Sequence, residues 1–261
     1  MSPRLQFAID AAYRGGKSTL AHFQTGAAVT IKSDSSPVTV ADLGAERIIR
    51  DEIERAFPGE SILGEEHGAT GNSASRWIID PIDGTKSFVA GVPTYATLLS
   101  YEVNGVPVLG VCYFPGLDEM VYAEVGAGTF WNGRKVSVTS RPELAGSLVA
   151  SGGPNSMMKH GKQRGFEVIS GKALATRTWS DAYGHALVAT GRIDAMLDPV
   201  VSRWDLSAMK VIVEEAGGMF TDFRGGNPFD KGDFGLEAIS SNGLVHQEIV
   251  ELYHSLEEDS R

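Results

Sequence analysis

Two carboxylates and a hydroxyl are concentrated in the segment Asp80-Pro81-Ile82-Asp83-Gly84-Thr85, which follows an apolar run. Asp80 and Asp83 are three residues apart at the end of a predicted strand, so both carboxylates can turn into one small volume. Two carboxylates held this close repel each other, unless a hard cation such as Mg²⁺ binds their oxygen atoms. Gly84 lets the backbone approach a ligand, and Thr85 offers a hydroxyl and an amide. The segment is predicted to bind metal and phosphate, since two acids exceed what one capped turn requires.

Three further acids are candidates for the same site. Glu65, with Glu66 beside it, ends a predicted strand and lies at the same sheet end as Asp80 if the two strands are neighbours; the alternative is a solvated acidic loop. Asp42 is turned toward the apolar face of its predicted helix, where a buried acid requires a partner. Asp205 starts an apolar helix, where its carboxylate either caps the helix or binds metal.

The pattern of apolar residues predicts the elements that carry these acids. Helices are expected over 1–24, with a weak point at Gly15-Gly16, and over 42–57. Strands are expected at 61–65, 76–80, 97–103, 106–113 and 119–124, the last three as an antiparallel meander. Pro81 is expected to stop the strand that ends at Asp80. From residue 144, strands at 148–151, 176–179, 194–197 and 238–241 alternate with helices over 182–190, 205–216 and 245–256, a pattern typical of a sheet covered by helices.

This change of pattern divides the chain at about residue 145. The N-terminal half, 1–145, is predicted to be α+β with an antiparallel sheet and most metal ligands. The C-terminal half, 146–261, is predicted to be α/β and to carry the residues that select the substrate. No linker separates the halves, so one compact unit is expected.

Composition limits the classes of partner. The chain has 261 residues, 42% of them hydrophobic, and a formal charge of -10, which would repel a nucleic-acid backbone. A phosphate ester therefore needs local compensation from metal ions or helix amides. The single cysteine, Cys112, is predicted to be buried. We find no apolar run near the roughly 18 to 20 residues of a membrane helix and no apolar signal core, so no membrane partner and a cytoplasmic location are expected.

In their order and spacing, the acidic segments resemble the inositol monophosphatase superfamily of Mg²⁺-dependent, lithium-sensitive phosphatases. The matching segments are Val38-Thr39-Val40-Ala41-Asp42 with Glu46, Gly64-Glu65-Glu66, Asp80-Pro81-Ile82-Asp83-Gly84-Thr85, and Trp204-Asp205 with Glu215-Ala216-Gly217-Gly218. The resemblance implies an α-β-α-β-α layered sandwich that combines α+β and α/β halves, and a homodimer.

The resemblance also implies which residues bind metal. Glu65, Asp80 and the carbonyl of Ile82 would hold one Mg²⁺. Asp80, Asp83 and Asp205 would hold a second. The family closes a loop over a third, weaker ion, so two or three Mg²⁺ are expected in each active site.

Further roles are implied for the residues around the metals. The amides of Gly84 and Thr85 would bind phosphate oxygens. Asp42 and the Thr85 hydroxyl would orient the attacking water, and Glu65 would help to deprotonate it. Lys32 corresponds to the loop that closes over the third ion. The expected reaction is in-line attack of metal-activated water on a phosphate monoester.

Substrate selection is expected from the C-terminal half. The segments Trp77 to Phe88, Gly91-Val92-Pro93 and Ser180-Asp181-Ala182-Tyr183-Gly184-His185 look like the histidinol-phosphatase branch. Asp181 replaces a small residue of the inositol branch and, with Asp198, could pair with the ammonium and imidazole of histidinol; a helix cap is the alternative for Asp181. His185 is expected to be a packed histidine. L-histidinol phosphate is the predicted substrate in histidine biosynthesis, and the alternatives are inositol-1-phosphate, sugar phosphates or a silent Mg²⁺-binding interaction protein.

Overall fold

The computed structural model describes residues 1–26, 29–31 and 37–258. The helices are α1 (Pro3–Thr19), α2 (Val40–Ala56), α3 (Thr85–Val89), α4 (Pro154–Lys159), α5 (Gln163–Lys172), α6 (Asp181–Ala189), α7 (Arg203–Glu215) and α8 (His246–Glu258). The strands are β1 (Val29–Ile31), β2 (Pro37–Thr39), β3 (Ser61–Gly64), β4 (Gly68–Thr70), β5 (Ser75–Asp83), β6 (Ala96–Val103), β7 (Val106–Phe114), β8 (Glu119–Glu124), β9 (Gly128–Trp131), β10 (Arg134–Val136), β11 (Leu148–Ser151), β12 (Ala175–Arg177), β13 (Ala195–Val201), β14 (Met219–Thr221) and β15 (Leu236–Ser241).

Two large sheets lie between three layers of helices, and β1 and β2 form a separate antiparallel pair. The first has eight strands in the order β10-β9-β8-β7-β6-β5-β3-β4, antiparallel except for the parallel pair β3 and β5. The second has five strands in the order β12-β11-β13-β15-β14 and mixes parallel with antiparallel pairs. Helices α1 and α2 pack on the first sheet. Helix α7 contacts strands of both sheets, and α6 contacts α7 and strands of the second sheet. Helices α5 and α8 pack together beyond the second sheet. The predicted α-β-α-β-α sandwich is confirmed.

The largest apolar core lies at the middle layer of helices. Leu98 and Cys112 of the first sheet pack there with Met209 of α7 and Met196 of the second sheet. Both parts of the chain therefore contribute to one core, and Cys112 is fully buried in it, as predicted.

The predicted weak point in the first helix is wrong. Helix α1 runs through Gly15 and Gly16 without interruption. A Cβ at Gly15 would lie 2.6 Å from Ile49 Cγ1 on α2, and a Cβ at Gly16 would lie 2.6 Å from Tyr113 Cδ1. The two glycines permit close packing of α1, because they bring no side chain to either contact.

The expected end of a strand at Pro81 is also wrong, since β5 continues to Asp83. The pairing with β6 shifts register between Asp80, opposite Leu98, and Asp83, opposite Ala96. Pro81 has no N–H to donate and lies within this irregular stretch, which is where a strand tolerates proline. Its carbonyl accepts a hydrogen bond from Thr97 Oγ1 at 2.8 Å.

Candidate metal and phosphate site

The irregular end of β5 brings Asp80 and Asp83 to the same place. Regular strand geometry would point residues three apart to opposite faces, but the register shift between them removes that alternation. Both side chains are buried. The amide of Ile82 donates to Asp80 Oδ1 at 3.1 Å and fixes the direction of that carboxylate.

Asp205 reaches these two acids from the first turn of α7. It is the third residue of the helix and forms a capping box with Ser202, whose amide donates to Asp205 Oδ2 at 2.6 Å. One carboxylate oxygen each of Asp80, Asp83 and Asp205 lie within 4.8 Å of one another. Asp205 therefore caps its helix and also faces the cluster, so the cap considered from the sequence is observed and is compatible with metal binding by the same residue.

The three acids have perturbed protonation. Burial, followed by repulsion from Glu65, Asp83 and Asp205, raises the pKa of Asp80 well above its usual value. Burial raises the pKa of Asp205 to about 7. The pKa of Asp83 is raised by burial and by neighbouring acids, although the amide of Ala182 opposes this. Buried carboxylate oxygens with raised pKa values are a donor set that fits a hard divalent cation such as Mg²⁺.

Glu65 lies at the same sheet end, as expected from neighbouring strands. Strands β3 and β5 pair in parallel up to Gly64 opposite Ile79, and the amide of Glu65 donates to the carbonyl of Ile79 at 3.2 Å. The Glu65 carboxylate is close enough to raise the pKa of both Asp80 and Asp205.

The turn that carries Glu65 is held by Glu46 of α2, a residue to which the sequence assigned no role. Glu46 is fully buried and accepts from the amides of Glu66 at 2.7 Å and His67 at 3.2 Å and from Arg50 Nε at 2.7 Å. A Cβ at Gly64 would lie 2.5 Å from Glu46 Cδ, so only glycine permits this approach. The signal in the sequence is the spacing of Glu46 four residues before Arg50 on one helix face.

Gly84 and Thr85 form the start of the short helix α3, directly after Asp83. Gly84 is the N-cap residue at φ 78°, a left-handed conformation that favours glycine. The Thr85 hydroxyl donates to the carbonyl of Ile82 at 3.1 Å, so that carbonyl is held beside the cluster.

The Asp42 carboxylate accepts from Thr39 N at 2.7 Å and Thr39 Oγ1 at 2.6 Å.

Asp181 and Asp198 add two more carboxylates at the edge of the cluster. Asp181 begins α6 in a left-handed conformation, with φ 60°, and a Cβ at Gly84 would lie 3.0 Å from its Oδ2. Asp198 is buried on β13, where burial and the charges of Asp181 and Asp205 raise its pKa well above the usual value. The carboxylate that accepts from the first-turn amide of Ala182 is that of Asp83, at 2.7 Å, not that of Asp181.

Comparison with known proteins agrees with this geometry. The model of the Inositol monophosphatase family matches residues 1–258. The chain belongs to the inositol monophosphatase family. It is 40% identical to a histidinol-phosphatase of Chlorobaculum parvum over 96% of both chains. It is 38% identical to a fructose-1,6-bisphosphatase/inositol-1-monophosphatase of Thermotoga maritima, covering 85% of this chain and 84% of that protein. The solved structure of a Thermotoga maritima IMPase superimposes with a TM-score of 0.89 at 34% identity, over 99% of both chains.

As a member of the inositol monophosphatase family, the protein is a phosphoric monoester hydrolase of a metal-dependent family. His185 is packed in the core as predicted, with Nδ1 at 2.7 Å from Ser240 Oγ. Glu215, at the end of α7, accepts from the amides of Gly126 and Gly128. Lys32 lies outside the described residues. Among the described residues, no helix combines the length and apolarity required to span a bilayer.

Proposed function

We propose that the protein hydrolyses L-histidinol phosphate to L-histidinol and phosphate in a Mg²⁺-dependent reaction of histidine biosynthesis. The observation that carries the substrate is the pair Asp181 and Asp198, which adds a half-buried and a buried acid to an already acidic cluster. Each carboxylate would interact favourably with a positive charge on the leaving group, and histidinol carries an ammonium and an imidazole. A relative that is 40% identical bears the name histidinol-phosphatase, which supports the same substrate.

Two or three Mg²⁺ ions are proposed as cofactors. Glu65, Asp80 and the Ile82 carbonyl would hold one ion, and Asp80, Asp83 and Asp205 a second. Their carboxylates offer the oxygen donors that Mg²⁺ prefers, and the carbonyl of Ile82 is already oriented by Thr85. Bound Mg²⁺ supplies the positive charge that lowers the pKa of water and stabilises the leaving alkoxide.

The chain supplies the positioning groups for the phosphate and the water. Amides of Gly84 and Thr85, at the half-buried start of α3, would donate to phosphate oxygens. Glu65 would accept a proton from the attacking water. Asp42 and the Thr85 hydroxyl would orient that water, with Asp42 fixed in direction by its bonds to Thr39.

Recognition of the leaving group would rest on charge. A hydrogen bond to a charged group contributes about 1.5 to 3 kcal/mol, which corresponds to roughly ten- to hundredfold discrimination. Asp181 is well prepared for this contact, because its left-handed backbone fixes the carboxylate above Gly84. An uncharged polyol would bring no counter-charge to these two acids.

The test is phosphate release from histidinol phosphate and inositol-1-phosphate, with and without Mg²⁺, for wild type and Asp181→Asn. Asparagine keeps the left-handed backbone accessible and removes the charge. The matched control is Asp118→Asn, since Asp118 also has a positive φ, of 53°, but lies in an exposed turn. We expect a Mg²⁺-dependent preference for histidinol phosphate that falls about tenfold or more in Asp181→Asn only.

Other outcomes would assign the site differently. A preference for inositol-1-phosphate that Asp181→Asn leaves unchanged would make inositol phosphate the substrate, as the name of the Thermotoga maritima relative suggests. Similar rates on both esters and on fructose phosphates would indicate a broad sugar-phosphate phosphatase. No Mg²⁺-dependent release from any ester would indicate a silent Mg²⁺-binding protein.

A homodimer and a cytoplasmic location are further proposals that follow from the family resemblance and the composition. Light scattering on the purified chain measures the first. A measured particle mass near 27.9 kDa, the mass of one chain, would contradict the homodimer.

A further inference from the structure

A partly buried network of four charged side chains lies beside the start of α7. Glu102 of β6 accepts from Arg203 Nε at 2.8 Å and from Arg76 Nε at 2.8 Å. Asp233 Oδ1 accepts from Arg203 Nη1 at 3.2 Å and from Arg76 Nη2 at 3.0 Å. Two acids and two arginines balance in charge, and Glu102 and Arg203 are both buried.

Arg203 has the most contacts in this network. Its Nη2 donates to the carbonyl of Gly105 at 2.5 Å, its guanidinium lies 4.3 Å from the ring centroid of Phe229, and its own amide donates to the carbonyl of Asp233 at 2.8 Å. Ser207, one turn further along α7, donates to Glu102 Oε1 at 2.7 Å. The first turns of α7 are therefore fixed to β6 and to the segment at Asp233.

The metal cluster depends on where α7 begins. Asp80 and Asp83 lie on β5, which is hydrogen-bonded to β3 on one side and β6 on the other. Asp205 lies on α7, two residues after Arg203, and a helix has no hydrogen bonds to neighbouring strands that would fix it in place. The side-chain contacts at the start of α7 therefore contribute to the position of the Asp205 carboxylate relative to Asp80.

We propose that Arg203 is a positioning residue for the metal site: its bonds to Glu102, Asp233 and Gly105 hold Asp205 at the distance from Asp80 that a shared divalent cation requires. A buried ion network gives little net stability compared with apolar packing, so its main effect is on geometry. The inference rests on the proposed metal site at Asp205. Outer groups that orient metal ligands typically change metal affinity by about 10- to 100-fold.

The experiment measures Mn²⁺ binding by electron paramagnetic resonance of the free ion, in competition with Mg²⁺, for Arg203→Met and Arg76→Met. Each variant removes one arginine that bonds to Glu102 and Asp233. Arg76, however, lies on β5, which is hydrogen-bonded to neighbouring strands, and not on α7. We expect Arg203→Met to bind Mn²⁺ about tenfold more weakly or worse, and Arg76→Met to bind close to wild type with a similar loss of thermal stability. At saturating metal, kcat of Arg203→Met should recover toward wild type while the metal requirement stays raised.

Arg203→Lys is the second variant and decides the result if Arg203→Met does not fold. Lysine keeps a charge near Glu102 but cannot make all of the guanidinium contacts, so affinity between those of wild type and Arg203→Met is expected. Wild-type Mn²⁺ affinity in either folded Arg203 variant, or an equal loss in Arg76→Met, would overturn the proposal.

Asp205→Asn separates this inference from the proposed function. Unchanged Mn²⁺ binding in Asp205→Asn would reject the proposed metal site itself. Weakened binding in Asp205→Asn, with normal binding in both Arg203 variants, would reject only the positioning role.

Discussion

Asp205 raises the free-energy cost of ionising Asp80, whereas the hydrogen bond between the two carboxyl groups favours ionisation of Asp205. Their carboxyl groups hydrogen-bond to each other and share the neighbour Glu65, in a place where burial already disfavours charge. A protonated carboxyl or a bound cation relieves this repulsion. The site is therefore a local source of instability in the metal-free protein at neutral pH.

Replacement of Asp80 by asparagine should separate stability from activity. We expect Asp80→Asn to lose Mg²⁺-dependent phosphate release and to unfold at higher denaturant concentration than wild type when metal is absent, because one buried negative charge is removed. The control is Asp222→Asn, since hydrogen bonds from Gly226 and Arg224 and the charge of Lys231 lower the pKa of Asp222 despite its burial. That variant should be less stable and remain active; an unstable Asp80→Asn would contradict the reasoning.

The pH dependence of the metal-stripped protein follows from Asp205. Its pKa is raised from 3.8 to about 7 in the folded protein, so between these values the native state binds more protons than the unfolded state. The stability contributed by the protonated group is present below the unfolded pKa and is lost as pH rises through about 7. Thermal unfolding in a chelator should show lower stability at pH 8 than at pH 5, and added Mg²⁺ should raise it more at pH 8. Equal Mg²⁺ effects at both pH values would contradict this assignment.

Helix α1 can pack closely on α2 because Gly15 has no side chain at their contact. Gly15→Ala should destabilise the protein by about 1 to 3 kcal/mol, because the added methyl would meet Ile49 at 2.6 Å. Gly44→Ala is the matched control in the exposed face of α2, where a Cβ would meet nothing within 4 Å. It should stabilise by roughly 0.5 to 1 kcal/mol through helix propensity. Urea unfolding of both variants measures the change in the free energy of unfolding. A change of the same sign in both would show that packing at Gly15 is loose.

Elements with a strong period were predictable from the sequence, and irregular ones were not. Strands β8 and β11 were predicted with their observed bounds, since turn residues flank short apolar runs. The continuation of β5 past Pro81 was missed because it depends on β6 as a partner. Helix α4 was missed because its six residues are too few to show a helical period, and α5 because only a few apolar residues, such as Phe166 and Ile169, mark its buried face. Propensity and period are local signals, whereas these features depend on tertiary contacts.

The acids of the site show the same limit. Asp80 and Asp83 were predictable because their spacing after an apolar strand is local information. Their relation to Asp205 could be expected only from the family resemblance, since 122 residues separate Asp205 from Asp83. The bond from the Ala182 amide to Asp83 had no signal in the sequence, because it joins the starts of α3 and α6 across the fold.

At the scale of the whole molecule, α7 joins the first sheet to the rest of the protein at Gly110. The α7 backbone lies directly on β7 there, and a Cβ at Gly110 would be 2.7 Å from Ala208 Cα. Gly110→Ala should cost about 3 kcal/mol and also weaken Mg²⁺ binding, because a displaced α7 moves Asp205. Gly171→Ala, on an exposed face of α5 with nothing within 4 Å, is the control and should leave Mg²⁺ binding unchanged without destabilising the protein. Thermal unfolding with and without Mg²⁺ measures both effects, and a destabilised Gly110→Ala with normal Mg²⁺ binding would show that α7 adjusts without moving Asp205.

The single thiol of the chain lies in the core that both parts of the molecule share. Burial raises the pKa of Cys112 well above its usual value, so the reactive thiolate is scarce while the core is closed. A thiol reagent should therefore modify Cys112 only during transient opening of that core, and the modification rate reports how often this occurs. If opening separates α7 from β5, Mg²⁺ should slow the labelling, and the native chain would carry its own kinetic reporter of metal binding.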